Sequence, residues 1–181
     1  VEIPRLRMLD LLSLRQHGAK IVLTPEDEQL LEGLSNFKAI DPIKVPEHFV
    51  GTLRSYQKDG YHWLAFLYKN RFGACLADDM GLGKTIQVIA FLGGIAEGLI
   101  ASRNAQQGPH LIVVPPTLVF NWQHELQLFY PRLRVLAYAK ATKNKDFSAY
   151  DVVITTYDRV RLDIAFLKQQ QFHVLVLDEA Q

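Results

Sequence analysis

Residues 77–85 read Ala-Asp-Asp-Met-Gly-Leu-Gly-Lys-Thr, and this stretch decides the fold. The preceding run, residues 73–77, is small and apolar, as a buried parallel strand should be, and residues 85–92 have the apolar spacing of a helix. Strand, glycine-rich loop and helix in this order are typical of a phosphate-binding loop. We expect its backbone N–H groups to close on the phosphates of a nucleoside triphosphate at the helix N-terminus.

Individual residues of this loop have separate predicted roles. Gly81 and Gly83 let the backbone approach phosphate oxygens, Lys84 can reach the β- and γ-phosphates, and the Thr85 hydroxyl can ligate Mg²⁺. The alternative is a glycine-rich turn that only caps a helix, and Asp78 stands where the general motif has its first glycine. The predicted nucleotide-binding residues of the loop are Asp78, Asp79, Met80, Gly81, Leu82, Gly83, Lys84 and Thr85.

A second signal lies at residues 172–177, an apolar, β-branched run that stops at an Asp-Glu-Ala-Gln box, residues 178–181. An Asp at the tip of a central strand can hold Mg²⁺, and the neighbouring Glu is a candidate base for an attacking water. Such a pair is often only a helix N-cap. Together with the loop it indicates nucleotide hydrolysis, with Lys84, Asp178 and Glu179 as catalytic residues and Thr85 and Asp178 as Mg²⁺ ligands.

With both motifs present, the sequence resembles the Snf2-type ATPases, a branch of the superfamily 2 helicase-like motors. The family loop reads Asp-Glu-Met-Gly-Leu-Gly-Lys-Thr, and residues 78–85 reproduce it with Asp79 in place of Glu, so Asp78 is a family trait. Residues 53–57 and 60–64 look like the family's adenine-recognition segment, whose glutamine maps to Gln57. The resemblance implies an α/β fold, a partial RecA-like domain whose parallel sheet is flanked by helices, with ATP and Mg²⁺ as ligands.

The resemblance also implies a double-stranded DNA partner. Residues 111–122 look like the family's strand and loop that lie along one DNA strand, and residues 151–157 like its later Thr-Thr-Tyr segment. Both follow predicted parallel strands, at the edge where ligands bind in open α/β sheets, and hydroxyls there can hold phosphates without reading bases. The implied contacts are Pro115, Thr117, Asn121, Thr155 and Thr156, although Thr117 and Thr156 are also N-cap candidates.

Composition alone would not have suggested nucleic acid. The 181 residues carry 20 basic and 19 acidic side chains, for a formal net charge of +1, so any basic surface must be local. The single Cys75 is expected to be a small buried side chain, and the histidines show no metal-ligand spacing. With no apolar run of membrane length and no signal peptide, we expect a cytoplasmic, nucleoid-associated bacterial protein without a membrane partner. Candidate basic residues are Arg132, Arg134, Lys140, Lys143 and Lys145.

The predicted organisation is an accessory segment and linker over residues 1–50, mostly helical, and a first RecA-like helicase ATP-binding domain over residues 51–181. Residues 5–16 predict a helix ended by Gly18, residues 20–23 a short strand, and residues 24–34 a helix capped by Thr24. Pro42 and Pro46 mark the linker. The accessory segment is a candidate contact region for other proteins.

Three functions are open to this sequence. An ATP-dependent double-stranded DNA translocase of the remodeller type fits every motif. A strand-separating DNA or RNA helicase would share the loop and the acidic box, but the Met-Gly-Leu-Gly-Lys-Thr-Ile-Gln wording and Thr-Thr-Tyr argue against it. A non-catalytic nucleotide-binding module is the third. Because the chain stops just after the acidic box, we expect the ATP-binding half of a motor, inactive without further strands and a second RecA-like domain.

Overall fold

The structure, a computed structural model, describes residues 8–18, 20–35, 40–79, 81–101, 108–139 and 146–180. Within these residues, four parallel strands form one sheet in the order β2-β3-β1-β4. Their bounds are β1 His110–Val114, β2 Val135–Ala137, β3 Val152–Thr156 and β4 Leu175–Leu177. Predicted site or basic residues outside the described part are Met80, Lys140, Lys143 and Lys145.

The two central strands, β1 and β3, are apolar and buried along nearly their whole length. In the register, His110 lies opposite Val152 on one side, and Leu111 lies opposite Leu175 on the other. Burial of both faces is what a parallel sheet requires, because helices cover it on each side. This arrangement confirms the α/β prediction.

Seven α-helices and one short 3₁₀ turn lie in the described part of the chain. The helices α3, α4 and α5 pack on one face of the sheet around the fully buried Tyr61, Ile89 and Leu126. The opposite face packs Leu111 and Val153 against aromatic side chains, including Phe147, and against the α6–α7 region. The bounds are α1 Met8–Gln16, α2 Pro25–Ser35, α3 Ser55–Lys69, α4 Lys84–Ala96, the 3₁₀ turn Pro116–Leu118, α5 Val119–Phe129, α6 Tyr157–Leu162 and α7 Ile164–Leu167.

The strand predicted at residues 73–77 is wrong. Residues 72–79 have no regular secondary structure, and Cys75, predicted to be buried, is exposed. A parallel strand is held by hydrogen bonds to its neighbours, and none of the described strands pairs with this segment. β4 pairs only with β1 among them, which leaves Leu175 and Leu177 more than half exposed at its edge. The strand predicted at residues 20–23 is also wrong, since no described strand lies beside it.

The helices of the N-terminal segment follow their predicted signals. α1 is followed by Gly18 at φ +86°, and the Thr24 hydroxyl accepts a hydrogen bond from the Asp27 N–H at 3.2 Å, as an N-cap does. Leu11, Leu30 and Leu31 bury their side chains together, with Phe66 of α3 packed against them. The segment therefore packs on α3, while the predicted boundary after residue 50 stays a prediction.

No helix in the described residues is both long and apolar enough to cross a bilayer.

Candidate nucleotide-binding site

The loop before α4 has the backbone of an anion-binding turn. Gly81 and Gly83 adopt φ values of +84° and +76°, which residues with a Cβ rarely adopt, and Gly83 is the N-cap of α4. A Cβ on Gly83 would also lie 2.6 Å from Gln57 Nε2. Because the first N–H groups of a helix have no intrahelical acceptor, they are free to bind phosphate oxygens here.

Lys84, the first residue of α4, lies folded back over this loop. Its ammonium donates to the carbonyl oxygens of Asp78 at 2.7 Å and Asp79 at 3.4 Å. Among the described residues, no carboxylate forms an ion pair with it. Its positive charge is therefore uncompensated and, since the lysine stem is flexible, can be turned towards a phosphate. Thr85 follows it and is half-buried.

Gln87 is a loop-supporting residue that sequence reasoning missed. Its side chain is fully buried, and its Nε2 donates to Asp78 Oδ2 at 3.1 Å and to the Gly83 carbonyl at 3.4 Å. These bonds join the two ends of the loop to α4. The available signal was a polar side chain among the apolar residues 86–92 of the predicted helix.

Gln57, predicted to read the adenine base, lies at the start of α3 and touches the same loop. Its Oε1 accepts from the Arg54 N–H at 2.9 Å, and its Nε2 donates to the Leu82 carbonyl at 3.1 Å. Its side chain is 8% exposed. Gln57 thus fixes α3 against the loop, and its role towards a base stays a prediction.

The acidic box lies directly after β4 and is held from several sides. The Asp178 N–H donates to the Val113 carbonyl at 2.9 Å. Its carboxylate accepts from Trp122 Nε1 at 2.8 Å and from the Glu179 N–H at 3.1 Å. The Tyr157 hydroxyl donates to the Asp178 carbonyl at 2.7 Å. Glu179 is exposed and has a φ of +49°, an unfavourable value for a residue with a side chain.

These contacts suit a carboxylate that binds a cation. The donors to the Asp178 carboxylate are uncharged, and no described Lys or Arg pairs with it. An uncompensated carboxylate oxygen is a preferred ligand of Mg²⁺. Within the described residues, no hydrogen bond or ion pair joins the acidic box to the loop. Trp122 and Tyr157 were not predicted as partners of Asp178, since they are 56 and 21 residues away in the chain.

The first segment that resembles a DNA contact lies at the carboxyl end of β1. Thr117 and Asn121 are exposed and Pro115 is half-buried. Asn121 Nδ2 donates to Glu125 Oε1 at 2.8 Å. Thr117 is not a helix N-cap, because Pro115 precedes the 3₁₀ turn and Leu118 precedes α5. The Thr117 hydroxyl therefore has no capping role. It follows the carboxyl end of β1, on the same sheet edge as Asp178.

The second segment lies at the carboxyl end of β3, and its two threonines differ. Thr156 is half-buried and caps α6, where its hydroxyl accepts from the Arg159 N–H at 3.2 Å. Thr155 is only 1% exposed, and its hydroxyl donates to the Tyr138 carbonyl at 3.0 Å. Side chains alternate between faces along a strand, and this one points into the core, so the role of Thr155 as a DNA contact stays a prediction.

The basic candidates Arg132 and Arg134 lie at the opposite edge of the sheet. Arg134 precedes β2 and pairs with Asp151, which precedes β3, at 2.9 Å. Arg132 lines a cleft of about 530 Å³ with Glu47 and Glu97 at this same edge. The amino ends of parallel strands lie opposite their carboxyl ends. These arginines are consequently not part of the surface that carries Asp178 and Thr117.

A histidine pair, with His110 buried and His173 half-buried, lies at that amino end as well. The rings of His110 and His173 are 5.1 Å apart between centroids, and His173 hydrogen-bonds the Tyr68 hydroxyl of α3. Burial, followed by the neighbouring His173, lowers the pKa of His110 to about 4, and burial also lowers the pKa of His173. Both rings are therefore neutral at pH 7.

Comparison with known proteins identifies the family. The SNF2-related domain family matches residues 56–181. A putative ATP-dependent helicase/translocase of Bacillus subtilis, YwqA, is 41% identical over 170 residues, which are 91% of this chain and 18% of that protein. The helicase SWR1 of Candida albicans is 40% identical over 169 residues, 89% of this chain and 10% of that protein.

A solved structure agrees with this match. The SWI2/SNF2 ATPase core of Sulfolobus solfataricus in complex with dsDNA superimposes with a TM-score of 0.69 at 36% identity, covering 76% of this chain and 28% of that one. The chain belongs to the SNF2-related domain family, and its sheet has the RecA-like fold of that ATPase core. It spans less than a fifth of the length of the two curated relatives.

Proposed function

We propose that this chain is the ATP-binding part of an ATP-dependent motor that moves along double-stranded DNA. The observation that carries the proposal is Lys84. Its uncompensated ammonium lies over a loop whose two left-handed glycines open the N-terminus of α4. A cation beside free helix amides attracts a polyphosphate.

Each site residue has a separate role in phosphoryl transfer. Lys84 pairs with the β- and γ-phosphate oxygens, and Gln57 lies on the side of the adenine base. Thr85 and Asp178 would hold Mg²⁺, which would supply positive charge to neutralise the phosphates. Glu179, exposed beside Asp178, takes the proton of the attacking water.

DNA is held on the edge of the sheet where β1, β3 and β4 end. Pro115, Thr117, Asn121 and Thr156 are available there, and they hold phosphates without reading bases. The relative solved with dsDNA supports this choice of partner. Turnover also needs a second RecA-like domain, whose arginines stabilise the transferred phosphoryl group.

The alternative is a strand-separating helicase; of the two curated relatives, one is named a helicase/translocase and the other a helicase. Phosphate release from the full-length protein separates the two, with matched duplex DNA, single-stranded DNA and RNA as activators. We expect stimulation by duplex DNA of any sequence that weakens as salt rises, and displacement of a triplex strand without unwinding. Strong unwinding of a tailed duplex, or a preference for RNA, would favour the helicase. ATP binding without any DNA-stimulated phosphate release would favour the non-catalytic nucleotide-binding module.

A further inference from the structure

Two side chains hold Asp178, and each comes from a segment proposed to lie on DNA. Trp122 is the neighbour of Asn121 in α5, and its indole N–H donates to the Asp178 carboxylate at 2.8 Å. Tyr157 is the neighbour of Thr156, and its hydroxyl donates to the Asp178 carbonyl at 2.7 Å. The acidic box is thus bonded to both segments.

On α5, the outward and inward residues are adjacent. Phe120 is 78% exposed and Asn121 is exposed, whereas Trp122 is 3% exposed and packs in the core with Leu126. A helix behaves as a rigid element over one turn, because its backbone hydrogen bonds fix neighbouring residues relative to each other. A force on Asn121 at the surface therefore moves the Trp122 ring, and with it the bond to Asp178.

On α6, the link is shorter. Thr156 is the N-cap and Tyr157 the first residue, so a contact on the cap displaces the tyrosine directly. Because the Tyr157 hydroxyl donates to the Asp178 carbonyl, this displacement is passed to the acidic box.

The box itself depends on such restraints. Glu179 has a φ of +49°, a conformation that is unfavourable for a residue with a Cβ. Without hydrogen bonds from other elements, the turn at Asp178 and Glu179 would relax towards ordinary values. Both side chains that hold it can shift with a bound duplex.

We propose that Trp122 and Tyr157 are positioning residues that couple DNA contact to the acidic box, so that duplex binding sets the orientation of Asp178 and Glu179 for hydrolysis. The inference rests on the proposed function of the site. It assigns these two side chains a regulatory role: through them a DNA duplex acts on the rate of ATP hydrolysis.

The test uses the full-length protein with Trp122→Phe, which removes the indole N–H, and Tyr157→Phe, which removes only the hydroxyl. DNA-stimulated turnover should fall about 10-fold in each, as expected when a ligand residue loses a supporting hydrogen bond. The KM for ATP and the Kd for duplex DNA, the latter measured by fluorescence anisotropy, should change much less. Neither Trp122 nor Tyr157 is itself proposed to contact ATP or DNA.

The matched control is Tyr150→Phe. Tyr150 lies before β3, near the opposite edge of the sheet. This control should keep wild-type stimulation. A readout without turnover is hydrogen exchange of the peptide that contains residues 175–180. Duplex DNA should slow this exchange in the wild type and much less in Trp122→Phe and Tyr157→Phe.

The outcomes are distinguishable. Wild-type stimulation that persists in both variants, or a loss of turnover matched by an equal loss of DNA affinity, would overturn the coupling and leave the motor function intact. A wild type whose turnover ignores DNA would overturn both proposals. Trp122 is buried, so its variant is interpreted only if its thermal unfolding is native-like. Otherwise Tyr157→Phe decides alone, since Tyr157 is 37% exposed and loses one hydroxyl.

Discussion

In the proposed nucleotide site, Lys84 supplies the positive charge that would attract the phosphates. Replacing it with alanine should weaken Mg²⁺-ATP binding about 10- to 100-fold, because a hydrogen bond to a charged group contributes about 1.5–3 kcal/mol. The loop amides would provide the remainder. Calorimetric titration measures the effect, with Lys69→Ala on the exposed end of α3 as the control. Equal affinities of Lys84→Ala and wild type for Mg²⁺-ATP would show that Lys84 does not take part in nucleotide binding.

The proposed catalytic role of Glu179 can be separated from ATP binding by a substitution that keeps the shape of the side chain. Glu179→Gln retains hydrogen bonding but cannot accept the proton of water, so DNA-stimulated turnover should fall by about two to four orders of magnitude. ATP affinity should stay close to that of wild type. Phosphate release and ATP titration are measured together, with Glu32→Gln on the exposed face of α2 as the control. Turnover within a few-fold of wild type would exclude a catalytic role for Glu179.

At the scale of elements, α3 and α4 meet where Gly60 faces Gln87. A Cβ at Gly60 would overlap Gln87 Oε1, and the Nε2 of the same amide group donates a hydrogen bond to Asp78. Gly60→Ala should therefore cost about 1–3 kcal/mol of unfolding free energy, whereas Gly73→Ala, which meets open space, should cost little. The Gly60→Ala, Gln87→Ala double variant should be more stable than the sum of its singles predicts. Urea denaturation measures the coupling, and strict additivity would contradict it.

The histidine pair at the amino end of β1 predicts a pH dependence of stability. His110 has a folded pKa of about 4, below its ordinary 6.5, because of burial and then His173, with Asp151 opposing. As the pH falls, His110 is protonated in the unfolded chain at a higher pH than in the folded chain. The stability that is present above pH 6.5 should therefore be lost as the pH falls towards 4. The loss is about 3 kcal/mol at most. Denaturation at several pH values should show a flatter profile for His110→Leu than for wild type or for His124→Leu, whose site is exposed. Parallel profiles would contradict this.

Local signals predicted the elements that local chemistry determines. The Thr24 cap, the Gly18 stop and the helix after Gly83 all follow from residues next to one another in the chain. The strand predicted at residues 73–77 failed because a strand depends on a neighbour that the local pattern does not contain. The Trp122–Asp178 bond could not be predicted for the same reason, since its two residues are 56 positions apart in the chain. Sequence alone therefore located the loop and the acidic box, but not the side chains that hold them.

At the scale of the whole molecule, the sheet separates two edges with different chemistry. The carboxyl edge carries the loop, the acidic box and the exposed polar residues Thr117 and Asn121. The amino edge carries the Arg134–Asp151 pair and the His110–His173 pair. With a net charge of +1, the chain has no overall field that would draw DNA, so the proposed DNA contact on the carboxyl edge would rest on local hydrogen bonds.

The proposed need for a second RecA-like domain leads to a prediction for the chain alone. The 181-residue chain should bind Mg²⁺-ATP through Lys84, yet hydrolyse it at least about 10³-fold more slowly than the full-length protein with duplex DNA, because an arginine supplied by a second domain is worth about 10³ to 10⁵ in turnover. It covers 28% of the SWI2/SNF2 core that it resembles. Phosphate release is compared at equal ATP and DNA concentrations, with Lys84→Ala as the baseline. Adding duplex DNA to the chain alone should not raise its rate. Turnover within about 10-fold of the full-length protein would mean that no second domain is needed for catalysis.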